Sequence, residues 1–102
     1  MSIRKRYLKS KPCCKVTFRL PQKRTNEIEE ACVVGEFNQW STEATPMKKM
    51  KNGNFQVTVD LDSGREYQFR YLIDGHFWQN DEQADKRIPN NYSGDDNSVV
   101  TL

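Results

Sequence analysis

Residues 67–78, Tyr67-Gln-Phe-Arg-Tyr-Leu-Ile-Asp-Gly-His-Phe-Trp78, leave this chain few ways to fold. Tyr67, Phe69, Tyr71 and Ile73 alternate with Gln68, Arg70, Leu72 and Asp74, and a period of two sends the two sets to opposite faces of a strand. Asp74-Gly75 then supplies the left-handed backbone angles of a two-residue hairpin turn, and a second strand starts beyond it. One face of the first strand is core. The other carries an amide and a guanidinium, with Trp78 just past the turn.

The same alternation recurs along the chain. Over 13–20, Cys14, Val16, Phe18 and Leu20 oppose Lys15, Thr17 and Arg19, and Pro21 stops the run. Ala31-Cys-Val-Val34 is a short apolar strand broken by Gly35, and residues 47–50 return the chain to a sheet edge. Asn52-Gly53 is a strong hairpin signal ahead of Phe55, Val57, Val59 and Leu61. Residues 22–30 form a charged loop and 80–96 a long polar one, within which the 81–85 acidic cluster is expected to be a solvated turn. The chain closes on a last strand over 97–102. Six to eight short strands, without a long helix or a repeat, imply an all-β antiparallel β-sandwich of immunoglobulin-like size. At 102 residues there is one core, and the 11% of aromatic residues build it although only 35% of the chain is apolar. The expected organisation is a flexible basic arm over 1–12 and a single domain over 13–102.

Several function classes drop out. No run approaches the roughly 18–20 apolar residues of a membrane span, and the basic N-terminus lacks the apolar stretch of a secretory signal. A cytoplasmic protein without a membrane partner is expected. Cys13, Cys14 and Cys32 are odd in number, two are adjacent, and the single His76 is remote, so neither a disulfide framework nor a metal site follows from their spacing. No cofactor is expected. The net charge of +2 conceals +9 over residues 1–24 and −7 over the remainder, which reads as a basic segment folding back on an acidic body. Nucleic acid is not an expected partner, because apart from Tyr7 no aromatic ring is interleaved with the basic residues.

The polar-face residues suit carbohydrate. The C–H face of a glucopyranose stacks on an electron-rich indole, and planar amides and guanidinium groups match ring hydroxyls. Trp40, Trp78, Arg70, Gln68 and Asn97 are the candidate carbohydrate-binding residues. Phe37 is expected to anchor inward and leave Trp40 on the rim. Catalysis is not expected. No carboxylate pair at strand ends, nucleophile elbow or phosphate-cradling glycine loop is present.

Gly35-Glu-Phe-Asn-Gln-Trp-Ser41, Pro46-Met47, Asn52-Gly53, the 67–75 strand and Asp96-Asn97-Ser-Val-Val100, in that order, resemble carbohydrate-binding module family 48. That family includes the glycogen-binding domain of the AMP-activated kinase β subunit. It also includes the early-set N-terminal domains of isoamylases and glycogen branching enzymes. The likeness covers roughly residues 14–102, and the Trp78 to Asp85 stretch is similar to that of stand-alone bacterial early-set proteins. It implies an early-set sandwich that binds α-1,4-glucans such as glycogen or starch. By the same resemblance Trp40 is the first stacking ring, Arg70 the basic residue that hydrogen-bonds sugar, and Asn97 the asparagine opening the last strand. Trp78 is the candidate second ring, with Phe77 the alternative because one extra residue follows the Asp-Gly turn. By the same resemblance Ser93 and Asp95 stand where the kinase domains carry leucine and threonine. The implied alternative function is an early-set docking module. It would associate with an amylolytic or other partner enzyme without sugar, with the short last strand as the pairing edge.

Overall fold

The computed structural model describes residues 3–20, 29–51, 53–81, 84–89 and 96–102. Among them the chain forms nine strands: β1 (Ile3–Tyr7), β2 (Cys13–Leu20), β3 (Ala31–Gly35), β4 (Lys48–Lys49), β5 (Phe55–Asp62), β6 (Glu66–Ile73), β7 (Phe77–Gln79), β8 (Lys86–Pro89) and β9 (Asp96–Thr101). They make two antiparallel sheets, β1-β2-β5-β4 and β3-β6-β9-β8, with β7 also paired to β6. The chain is all-β, and its shortest dimension, 23 Å, is what two sheets about 10 Å apart plus their outer side chains require.

Alternation in β2 is complete: Cys14, Val16, Phe18 and Leu20 are buried and the residues between them are not. Register sets these four opposite Leu61, Val59, Val57 and Phe55 of β5. From the second sheet Tyr67, Phe69, Tyr71 and Ile73 meet them. The Phe18 ring lies 4.9 Å from that of Phe69 and 5.6 Å from that of Phe37, so Phe37 does anchor inward.

Two strands lie where the sequence suggests none. Residues 3–7, read as part of an arm, pair along their whole length with β2. Ile3 is buried opposite Phe18, and Lys5 reaches across to Asp85 at 2.6 Å. The basic segment thus meets the acidic body through a strand. Residues 86–89, read as loop, form β8 on β9. This placement corrects the expected docking edge, because β9 lies between β6 and β8 and offers no free edge. β3 ends its sheet, yet residues 45–47 cover it: Val33 N donates to the Thr45 carbonyl at 3.0 Å and Met47 N to that of Ala31 at 2.8 Å.

Another expectation fails at residue 81. Asp81 is not in a solvated turn; it is buried, accepts a 2.7 Å hydrogen bond from the Tyr71 hydroxyl, and its N–H donates to Ser98 Oγ. Burial first, and then the Asp81 charge and hydrogen bond, push the Tyr71 hydroxyl well above the usual tyrosine range. Cys14 and Cys32 are buried free thiols, pushed up by desolvation. No helix among the described residues is long and apolar enough to cross a membrane.

Candidate functional site

Strand β6 positions the site because it sits inside its sheet. β3 runs along one side, while β9 pairs with its first half and β7 with its second. Its inner residues are aromatic core, so Gln68, Arg70 and Leu72 face outward. Partners on that outer face follow from register. Val34 opposes Arg70, Val99 opposes Gln68, and Trp78 opposes Leu72.

This register separates Trp78 from Phe77. Adjacent residues of a strand point to opposite faces, so Trp78 shares the face of Arg70 while Phe77 shares the parity of Ile73. Three residues lie between the paired Ile73 and Phe77, which accounts for the extra residue. His76 N closes the turn on the Ile73 carbonyl at 3.2 Å, with Asp74 and Gly75 both at positive φ (52° and 77°). Asp74 also accepts the backbone N–H groups of Glu29 and Glu30 at 2.9 and 3.0 Å, tying the turn to the start of β3.

Four expected residues come together on this face. The Arg70 guanidinium carbon lies 5.5 Å from the centre of the Trp78 ring, a cation–π contact. Trp78 keeps 46% of its surface exposed whereas Arg70 keeps 9%. Arg70 therefore does not stand free toward a ligand, as alternation alone suggests. It is the floor on which the indole rests. Asn97, also buried, donates through Nδ2 to Gln68 Oε1 at 3.0 Å. Cys32, Val34 and Leu72 form a second small apolar cluster beneath. Beside Leu72 opens a cleft of about 390 Å³ lined also by Cys32, Pro46 and Met47, with Glu30 and Glu43 among its polar residues.

Trp40 reaches the surface by a different route. Gly35 ends β3 against β6, so closely that a Cβ there would sit 2.5 Å from the Gln68 carbonyl oxygen and 2.8 Å from Phe69 Cβ. Beyond it the Glu36 carboxylate takes the Gln68 N–H at 2.6 Å. Asn38 accepts from Gly35 N and donates to the Val33 carbonyl and Thr45 Oγ1. The reversal is completed by Gln39 and Trp40 in the left-handed region, φ 60° and 58°, with Trp40 N on the Gly35 carbonyl at 2.8 Å. Trp40 is left 40% exposed. No hydrogen bond or ring contact among the described residues joins it to the other four; its link to them is the attachment of its loop at Gln68. Ser41 caps the next turn as anticipated, its Oγ accepting Glu43 N and Ala44 N, although no helix follows.

Asn38 is legible in the sequence as a turn residue, but sequence reasoning did not single out Glu36, which fastens this loop to β6. Their signal is a carboxylate and an amide on either side of an inward phenylalanine after a strand-ending glycine. Ser93 and Asp95 lie outside the described residues. Chemically, the outer face offers a half-exposed indole in contact with a cation, with two amides hydrogen-bonded to each other beside it. Such a surface stacks and hydrogen-bonds a neutral polyhydroxylated ring.

A comparison with curated proteins gives no match. A family model described as the glycogen recognition site of AMP-activated protein kinase matches residues 16–101, from β2 through β9.

Proposed function

The chain belongs to the family of the glycogen recognition site of AMP-activated protein kinase, and we propose that it is a non-catalytic module binding α-1,4-glucans of the glycogen or starch type. The observation that carries this reading is the arrangement on the outer face of β6: Trp78 half exposed over Arg70, next to the bonded pair Gln68 and Asn97. A glucose ring lies with its C–H face on the indole, which Arg70 supports from beneath, and the amide pair of Gln68 and Asn97 orients its hydroxyls. The Trp40 ring supplies the second apolar platform along the chain of sugars. Neither amides nor a guanidinium exchange protons with a ligand at neutral pH, which is why the role is binding and not hydrolysis. We further take the module to serve an amylolytic or glycogen-metabolising enzyme, polysaccharide being the ligand the two would share.

Each stacked ring contributes about 0.5–1.5 kcal/mol beyond its buried area, so a single site is weak, in the micromolar-to-millimolar range. Retention on glycogen or amylose, competed by maltoheptaose, measures it. Trp78→Ala and Trp40→Ala are each expected to weaken retention roughly two- to tenfold. Retention unchanged in both variants would take these rings out of the site. Retention that maltoheptaose does not compete would remove the glucan.

A further inference from the structure

The site above occupies the outer face of the second sheet. The outer face of the first sheet, β1-β2-β5-β4, points the other way. Residues directly opposite in an antiparallel pair share a side, so register orders this face into rows. Two rows at one end hold Arg4, Thr17 and Thr58, then Arg19, Gln56 and Lys48. The acids Asp60 and Asp62 sit toward the other end, where Lys15 meets Asp60 at 3.2 Å. Thr17 and Thr58 share a 2.8 Å hydrogen bond at the centre. Arg4 and Lys48 are exposed and Arg19 is half-buried. Three cations therefore stand together over two rows that contain no carboxylate. Beside Lys48 a shallow recess of about 470 Å³, lined by Lys48, Lys49, Met50 and Lys51, carries the positive surface round the sheet edge. Lysine on an edge strand guards against unwanted strand pairing, but that need does not place an arginine on β2, which lies between β1 and β5.

We propose that this patch docks an extended acidic segment of a partner protein. Diagonal neighbours on adjacent strands lie ~7–8 Å apart, which sets Arg4 from Arg19. Carboxylates on one side of an extended chain recur about every 7 Å, so one segment reaches both. A guanidinium takes a carboxylate through two parallel hydrogen bonds, and the Gln56 amide between Arg19 and Lys48 serves the segment's backbone. Single-stranded nucleic acid is anionic too, but it binds by stacking its bases on aromatic rings, and these two rows hold none. The docking is independent of the glucan reading. With polysaccharide on the second sheet and the acidic segment on the first, the module joins the two without competition between them.

The test is fluorescence anisotropy of a short labelled peptide of alternating glutamate and serine, at low ionic strength and again in about 0.3 M salt. Its glutamine counterpart and an oligothymidylate of equal charge are run beside it. The proteins are the intact chain, Arg4→Gln/Arg19→Gln, Arg4→Gln/Lys48→Gln and, on the other sheet, exposed Arg87→Gln. Each double variant is expected to weaken the acidic peptide roughly three- to tenfold, and Arg87→Gln to stay within about twofold of the intact chain. Salt should weaken binding, and retention on glycogen should not change. Arg4 and Lys48 are exposed, so the melting temperature of their double variant should not move, which keeps the test open if the loss of half-buried Arg19 disturbs folding. Failure of the intact chain to bind the acidic peptide at low ionic strength would refute the proposal. So would equal binding of the glutamine peptide, or an Arg87→Gln loss as large as that of the double variants. Tighter binding of oligothymidylate would assign the patch to nucleic acid instead. Each of these results leaves the glucan module standing.

Discussion

Replacing Gly35 by alanine tests how the two halves of the site are held together. Gly35 has φ −167°, an extended conformation open to any residue, so the substitution introduces no backbone strain. What it introduces is volume. The new Cβ would sit 2.5 Å from the Gln68 carbonyl oxygen, 2.8 Å from Phe69 Cβ and 3.0 Å from a ring carbon of Phe37. Gln68 and Phe69 belong to the interior strand β6, paired on both sides, and cannot swing away as a flexible side chain would. Overpacking of this kind costs about 1–3 kcal/mol, and a backbone carbonyl as the obstacle argues for the upper part of that range. Lost flexibility of the unfolded chain offsets about 0.4–1 kcal/mol. A net loss of about 1.5–2.5 kcal/mol remains, which for a domain of this size lowers the melting temperature by roughly 6–20 °C. Thermal melts followed by circular dichroism measure it. Gly64→Ala is the control: Gly64 has φ +78° and nothing within 4 Å of its would-be Cβ, so it costs only left-handed strain, about 1 kcal/mol. A Gly35→Ala protein that melts with the parent would show that β3 and β6 do not approach as closely as described.

Two further perturbations probe the frame. Tyr71→Phe removes the hydroxyl that donates to buried Asp81 and is expected to lower stability by about 1.5–3 kcal/mol in urea unfolding with glucan binding unchanged. A loss below ~0.5 kcal/mol would mean that this bond contributes little. Burial alone would raise the Asp85 carboxyl, but hydrogen bonds from the Lys5 ammonium and Thr101 N–H outweigh it and hold the group below 3.8. Its folded value is therefore depressed. The unfolded chain takes up the proton first on acidification, so the contribution is full above pH ~4 and disappears as pH falls through the lower folded value. Asp85→Asn should flatten that acid limb in a series of melts below pH 5, and parallel curves would remove Lys5–Asp85 from the account.

Much of the fold was readable because β2 buries one face alone and β6 keeps its aromatic residues to one face, although Arg70 and Leu72 on the other are covered as well; a two-residue period records both patterns. β1 and β8 were not readable for the complementary reason. Of β1 only Ile3 is buried, and β8 is a charged edge strand held on β9 by backbone pairing. Main-chain hydrogen bonds leave no hydrophobic signature. At the site, alternation put Arg70 on the correct face but carries no information about depth, which the overlying Trp78 sets. The choice between Trp78 and Phe77 could not be settled by counting from Gly75, because it depends on how many residues the turn absorbs. Asp81 looked solvated because its partners, Tyr71 and Ser98, come from distant strands.

Gln68 has a consequence for how this surface meets a ligand. Its N–H is taken by Glu36 of the loop that bears Trp40, and its side-chain oxygen by Asn97 at the start of β9. One residue of a rigid strand thus serves as a common tie-point for three segments. On the glucan reading proposed above, these described parts of the surface are already tied together before a sugar chain arrives, so little of the contact energy is lost to ordering them. Tightening this module would call for more contact area, since stiffening what is already stiff returns almost nothing.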